Sequence, residues 1–401
     1  MIKRVFKAFE YRDFRLMWLG ACTSSIGTWM QKLAQSWLVL ELSKSSFLLG
    51  LDSFLGEVPI LLFSLVGGVV ADRKDRRHLL IASQIIQMSS AFLLAALLAL
   101  NKVQVWHILS LSFCSGLAQA FGGPAYQALI PRLVKPEDLP NAIALNSIQF
   151  NLARVIGPVV GGIAMAQLGA AWCFSLNGVS FIAVILSLFF LNERYVPAEK
   201  HQSMLESMKE GFSFVRRQEA MVSLIFLAFC MTMLGFPIVV FLPVFAKDVL
   251  HEGANTYSLL LSTSGAGSVA GALLVAAVGH IRQKGLLTLV MLVLFGFMMA
   301  GFALSKTLWL SCVFLFLGGA ALISCFAMIT SLVQLITSDE MRGRVMSVFN
   351  VAFRGGMPIG SLAIGSLIPI YTAPVVLAAN GALLAALGGY LLAMRRKIAS
   401  L

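Results

Sequence analysis

The stretch Gly67–Leu80, which reads Gly-Gly-Val-Val-Ala-Asp-Arg-Lys-Asp-Arg-Arg-His-Leu-Leu, separates two long apolar segments. Its centre, Asp72–His78, places two acids, four basic residues and a histidine in seven positions. A polar segment this short can only join two membrane helices on the same side of the bilayer. Its excess of basic residues predicts that this side is the cytoplasm.

Composition outside this loop excludes an ordinary soluble protein. The chain has 401 residues, of which 59% are hydrophobic and only 12% are charged, whereas about a quarter of the residues of a soluble domain are charged. The net charge of +12 comes from basic residues between the apolar runs rather than from one patch, so we expect no nucleic-acid partner. The six cysteines lie inside apolar runs without CxxC spacing, which predicts packing residues and no metal site.

Apolar segments long enough to span a bilayer, each of about twenty residues, occur twelve times. The predicted spans are 15–40, 47–71, 79–100, 104–126, 143–168, 172–192, 221–246, 256–279, 285–304, 308–331, 345–369 and 374–394. The sequence therefore predicts an all-α integral membrane protein. We expect residues 1–192 to form an N-terminal six-helix bundle, 193–220 a cytoplasmic linker, and 221–401 a C-terminal six-helix bundle.

The distribution of Lys and Arg is consistent with this arrangement. With the N-terminus inside, 23 of the 30 fall in inner segments and four in outer loops, and three lie within spans. Because the positive-inside bias acts on short loops, this ratio predicts that both termini are cytoplasmic. We expect the membrane to be a bacterial-type inner membrane.

An internal repeat also indicates two halves. Arg154 and Pro158 in the fifth span recur as Arg354 and Pro358 in the eleventh, at an offset of 200 residues. Parallel repeats with a substrate site between them near the midplane are a known arrangement of transporters.

The loop spacing from Gly68 through Asp72, Arg73 and Arg76 to Leu80 closely resembles a signature of the major facilitator superfamily. The resemblance implies that Gly68, Asp72, Arg73 and Arg76 help to lock one alternating-access state. The family usually has glycine at the position of Asp75, so we expect a different turn here. For Arg154 and Arg354, helix-end bonding or contact with Asp72 is favoured over substrate binding.

The fifth span carries Gly157, Pro158, Gly161 and Gly162, which resemble a helix-5 motif of exporters that work as antiporters. Glycines four apart also let another helix approach closely, so helix packing without a meaning for transport direction is the alternative explanation. Further segments look like the exporter branch that includes siderophore and macrolide efflux proteins: Phe14–Gly20, Leu129–Leu133, Leu139–Ser147 and Arg342–Ser347.

Charged residues inside spans are costly and are therefore candidates for function. We predict Glu57, near the centre of the second span, as the proton-coupling group. Lys32 and Asp52 are further candidates, because an ion pair of Lys32 with Glu57 or Asp52 is geometrically open. Asp52 is equally well explained as an outer-end residue. Many relatives have an acid where this chain has Thr28, which weakens the analogy with their coupling.

The first span has a polar face formed by Thr28, Gln31 and Gln35, beside Trp29. These residues either line a substrate cavity or form hydrogen bonds between helices. The sequence predicts a secondary transporter, not an enzyme, with no cofactor. We expect it to act as a monomer in the lipid bilayer and to export a drug or siderophore-like amphipathic compound against protons. A proton-independent facilitator and a non-transporting sensor are the alternatives.

Overall fold

The computed structural model describes residues 6–192, 204–277 and 283–393, which form helices and turns with no strand among them. A 3-10 turn, Lys7–Glu10, precedes the first helix. The first six helices are α1 Arg12–Ser43, α2 Ser46–Arg73, α3 Arg76–Ala99, α4 Val105–Leu129, α5 Leu139–Leu168 and α6 Ala170–Phe189. The remaining helices are α7 Met204–Arg216, α8 Glu219–Leu234, α9 Ile238–Val244, α10 Ala254–Ala277, α11 Lys284–Leu304, α12 Leu308–Leu335, α13 Arg342–Tyr371 and α14 Ala373–Ala393.

Ten helical segments of the described chain are long and apolar enough to cross a membrane, with the segment from α8 to Val249 counted as one. The helices α1 and α4, of 32 and 25 residues, are also long enough to cross a membrane, and both contain polar side chains. With these two, the described residues contain as many helices of membrane-spanning length as the twelve that the sequence predicts. Of the predicted linker, residues 193–203 lie outside the described residues, and α7 occupies most of the rest.

The helices are grouped into two compact units. The first comprises residues 1–200 without Ser45–Phe54, and the second combines Ser45–Phe54 with the chain after residue 200. In the first unit α1 packs against α5 and α6, and α3 packs against α4 and α6. In the second unit α8 packs against α13, α11 against α12 and α14, and α10 against α12. The first and fifth spans, α1 and α5, thus pack together in the first unit. The seventh and eleventh spans, α8 and α13, pack together in the second unit.

Small residues allow the backbones within each unit to touch. A Cβ on Gly67 of α2 would collide with the backbone of Ala120 in α4, whereas the same atom on Gly68 would meet open space. In the second unit, Gly50 lies against the backbone of Ser361, and Gly365 lies against Ser46. Such close approach is how membrane helices gain packing energy where no hydrophobic effect drives their association.

The seventh span is interrupted, whereas the sequence predicts one continuous span over 221–246. α8 ends at Leu234, and the turn Gly235–Pro237 leads into α9. Pro237 has no N–H group, so the carbonyl of Met233 has no helical donor. The buried side chain of Asn380 in α14 donates a 3.4 Å hydrogen bond to the carbonyl of Leu234. The break is therefore partly compensated by a neighbouring helix, as is typical of irregular backbone in membrane proteins.

Candidate transport site

The loop between α2 and α3 forms a compact ionic cluster. Arg76 lies 3.7 Å from the carboxylate of Asp72, and its guanidinium donates hydrogen bonds to the carbonyls of Ala71 and Ala128. Arg76 therefore ties the end of α2 to the end of α4. Arg73 is exposed, and Gly68 has space around its Cα.

Asp75 begins α3 where the family usually has glycine. Its side chain accepts a 2.9 Å hydrogen bond from the backbone N–H of Arg77, which is the bond that an N-cap residue makes. The Arg77 side chain donates to the carbonyls of Phe189 and Leu191, at 2.7 and 3.3 Å. The loop therefore also holds the last turn of α6, and the departure at Asp75 is a helix cap.

Arg154 does not bind Asp72, contrary to the preferred interpretation of the sequence. Its side chain lies in the middle of α5 and is only 7% exposed. The guanidinium carbon is 5.7 Å from the centroid of the Trp29 ring, and Phe150, one turn earlier in α5, meets the same ring edge-on at 6.4 Å. The indole of Trp29 therefore contacts two side chains of α5 that are four residues apart.

Lys32 approaches the same ring. Its ammonium nitrogen lies 5.5 Å from the centroid of Trp29, one helical turn away in α1. Within the first unit, neither Lys32 nor Arg154 has a carboxylate at ion-pair distance among the described residues, and Glu57 makes no ion pair or hydrogen bond there. The proposed pair of Lys32 with Glu57 is thus not formed. Asp52 belongs to the second unit and is buried there.

The glycine motif of the fifth span packs against this part of α1. A Cβ on Gly157 would collide with the Trp29 side chain and would lie 2.8 Å from the carbonyl oxygen of Ile26. A Cβ on Gly161 would be 3.1 Å from the Cα of Met30. Pro158 and Gly162 are buried beside them. The motif thus brings Trp29 to α5, one turn from Arg154.

The polar face of α1 is largely occupied by hydrogen bonds to other helices. Gln31 accepts a 2.6 Å bond from Asn177 of α6, and Gln35 donates a 2.8 Å bond to Ser112 of α4. Thr28 is exposed.

Buried Gln149 of α5 donates a 2.6 Å bond to Ser25. Asn177 and Gln149 were not predicted as partners of α1, although a polar residue within an apolar span is a visible signal.

Arg354, the repeat counterpart of Arg154, is exposed in the second unit. The described residues contain no group of three or more His, Cys, Asp or Glu side chains that could hold a metal ion. The first unit therefore offers polar and cationic side chains on membrane helices. Such side chains within membrane helices are candidates for transport function.

Known proteins with similar sequences cover nearly the whole chain. The staphyloferrin A transporter of Staphylococcus aureus is 28% identical and is aligned over 84% of this chain and 85% of its own length. Macrolide efflux protein A of Streptococcus pyogenes is 23% identical and is aligned over 88% of this chain and 89% of its own length. The enterobactin exporter of Shigella boydii is 26% identical and is aligned over 92% of this chain and 88% of its own length. The predicted similarity to siderophore and macrolide exporters is confirmed.

Solved structures confirm the fold. A bacterial homologue of the human lysosomal transporter Spinster superposes with a TM-score of 0.77, at 15% identity, over 96% of this chain and 97% of the other. The family model described as transmembrane secretion effector matches residues 4–400. Because this match covers nearly the whole chain, the chain belongs to the transmembrane secretion effector family of major facilitator transporters.

Proposed function

We propose that this protein exports a small amphipathic organic compound, a drug or a siderophore-like metabolite, across the inner membrane. The observation that carries the proposal is the alignment over most of their length with proteins named for efflux and export. The chain also resembles such antiporters in its Gly157-Pro158 motif. We place both termini in the cytoplasm and expect a monomer of two six-helix bundles that alternate in access.

Proton antiport is the mechanism we propose for this export. Glu57 is half-buried near the middle of α2 and makes no hydrogen bond or ion pair with the described residues of its unit. Its neighbour Gly56 contacts the backbone of α4 at Gly116. A carboxylate without a fixed partner responds to changes in solvation, because desolvation disfavours its charged form. Alternate opening to either side would then bind and release a proton.

The test uses purified protein in liposomes with a pH-sensitive dye inside and a panel of amphipathic compounds outside. We expect substrate-dependent proton movement in the wild type, its loss in Glu57→Gln, and its retention in Glu41→Gln, which removes an exposed acid near the end of α1. Intact coupling in Glu57→Gln would exclude Glu57 as the coupling group. Substrate flux without proton movement would instead support the proton-independent facilitator.

A further inference from the structure

We infer that Arg154 and Lys32 form a binding site for the negatively charged group of the substrate, with Trp29 as its apolar wall. The inference rests on the proposed function and narrows it, because it makes the exported compound an amphipathic organic anion, most simply a carboxylate. It assigns to substrate binding a pair of cations that the sequence pattern placed in different roles.

The first argument is the burial of Arg154 without a counter-ion. Arg154 is only 7% exposed, and among the described residues its guanidinium contacts the Trp29 ring and forms no ion pair. A guanidinium presents five N–H donors in a planar fork that matches the two oxygens of a carboxylate. The face of the Trp29 ring attracts the positive charge of Arg154. It does not accept the N–H hydrogen bonds that the guanidinium donates in its own plane.

The second argument is that a second cation approaches the same ring. Lys32 and Arg154 lie 5.5 and 5.7 Å from the Trp29 centroid, and no carboxylate of the first unit is at ion-pair distance from either among the described residues. Both cations therefore reach one indole side chain without a carboxylate partner in the first unit among the described residues. An anion bound beside this ring would supply the hydrogen-bond acceptors that a guanidinium and an ammonium group prefer.

The third argument is depth and shape. Trp29 is the eighteenth residue of α1 and Arg154 the sixteenth of α5, so both lie near the middle of helices of 32 and 30 residues. At about 1.5 Å rise per residue, each is roughly 25 Å from its helix start, close to where transporters of this plan bind substrates. Trp29 and Phe150 offer an aromatic surface beside the cations, which suits the apolar part of an amphipathic anion.

The packing of α1 on α5 fixes this arrangement. Because Gly157 and Gly161 have no side chains, α1 approaches closely enough for Trp29 to contact Arg154. The hydrogen bond from Gln149 to Ser25 holds the same two helices together closer to their starts. The ring and the guanidinium are therefore set by backbone contacts before any ligand binds, which reduces the entropic cost of binding.

The experiment compares two probes of nearly the same size and shape, 4-biphenylcarboxylate and its carboxamide, of which only the first is charged. Binding to the purified full-length chain in an uncharged detergent is followed by thermal stabilisation over a concentration series. We expect the carboxylate to bind the wild type at least about tenfold more tightly than the carboxamide. Arg154→Gln should bind the carboxylate only as tightly as the carboxamide. Arg154→Lys should still bind the carboxylate more tightly than the carboxamide, but by a smaller factor than the wild type.

Lys102→Gln is the matched control, because it removes one positive charge from an exposed loop and should change neither affinity. Gel filtration reports whether Arg154→Gln folds. If it does not, exposed Lys32→Gln provides the same comparison. Equal binding of the two probes by the wild type would refute the anion site, and so would unchanged carboxylate binding in the folded Arg154 and Lys32 variants.

The liposome assay separates this proposal from the proposed function. Proton-coupled flux of neutral compounds with no preference for carboxylates would refute the anion site and leave antiport intact. Carboxylate binding that is lost in Arg154→Gln, in a protein that moves no protons, would support the site and refute antiport.

Discussion

The side-chain amide nitrogen of Asn177 lies 2.6 Å from the side-chain oxygen of Gln31, and this hydrogen bond joins α6 to α1 inside the first unit. Asn177 is buried, and it also accepts a 3.0 Å bond from Ser180. Neighbouring Gly27 leaves room for both, because a Cβ there would meet the side chains of Asn177 and Ser180. The polar face of α1 is thus used for helix association at Gln31.

Asn177→Leu should therefore lower the stability of the folded protein by about 0.6 to 1.7 kcal/mol, the usual range for hydrogen bonds between membrane helices. Thermal unfolding in detergent measures the change. The control is Thr23→Val, because the hydroxyl of exposed Thr23 bonds only to the Leu19 carbonyl of its own helix. Equal unfolding temperatures for wild type and Asn177→Leu would show that this bond contributes nothing net.

Two adjacent glycines of the loop motif should respond differently to the same substitution. Gly67→Ala forces a methyl group into the backbone of Ala120, whereas Gly68→Ala places it in open space. We expect Gly67→Ala to cost about 1 to 3 kcal/mol through overpacking, and Gly68→Ala to leave stability within about 0.5 kcal/mol. Comparing the two thermal unfolding curves tests the contact. A larger loss for Gly68→Ala would mean that α2 and α4 are packed differently.

The helix cap at Asp75 explains how this chain tolerates an acid where the family has glycine. Because Asp75 accepts a bond from the N–H of Arg77, Asp75→Ala should destabilise α3 by about 1 kcal/mol. Asp75→Gly should cost only a few tenths of a kcal/mol, since glycine is itself an acceptable N-cap. Thermal unfolding of the two variants distinguishes these effects. If glycine were as costly as alanine, Asp75 would act through its contact with His78 instead.

Asp138, in the turn before α5, anchors the segment before α1. It accepts a 2.7 Å hydrogen bond from Tyr11 and lies 2.8 Å from the ammonium of Lys7. The Lys7 bond, followed by the Tyr11 bond, holds the pKa of Asp138 below its ordinary value of 3.8. The same contact with Asp138 raises the pKa of Lys7 above 10.5, so the pair stays charged across the neutral range.

A group whose pKa is lowered by folding stabilises the protein above its unfolded pKa and loses that contribution as pH falls through the folded value. The unfolding temperature of Asp138→Asn should therefore lie below that of the wild type by a constant amount between pH 5 and pH 8, in the range where roughly all of the carboxylate is ionised. The difference should shrink below pH 3.8. A difference that changed between pH 5 and pH 8 would point to another titrating group.

The boundaries of the membrane helices could be predicted from the sequence because bilayer thickness and apolar composition determine them jointly. The predicted span 285–304 and the helix Lys284–Leu304 differ by one residue. The break before Ile238 could not be predicted from Pro237 alone, because α5 continues through Pro158. The neighbouring residues distinguish the break at Pro237 from the continuous helix at Pro158. At the break, Gly235 lies against Phe295, and the Asn380 side chain donates a hydrogen bond to the carbonyl of Leu234.

The candidate site was predictable in its members but not in its pairings. A lysine or arginine within an apolar span is visible in any sequence, so Lys32 and Arg154 were found. Their shared contact with Trp29 depends on the rotation of α5 about its axis, which is set by the glycine contacts with α1. Residues 125 positions apart in the chain meet only through this tertiary packing, and no local pattern encodes it.

The interruption of the seventh span also has a consequence for the exchange of backbone amide hydrogens with water. In the turn Gly235–Pro237 the hydrogen bonds run over three residues, from Ile238 to Gly235 and from Val239 to Phe236. Such bonds have poorer geometry than those of an α-helix. The amides of Ile238 and Val239, at the start of α9, should therefore take up deuterium faster than those of α8 and those of the later residues of α9. Deuterium uptake would then mark this turn as a local opening site within an otherwise protected helix.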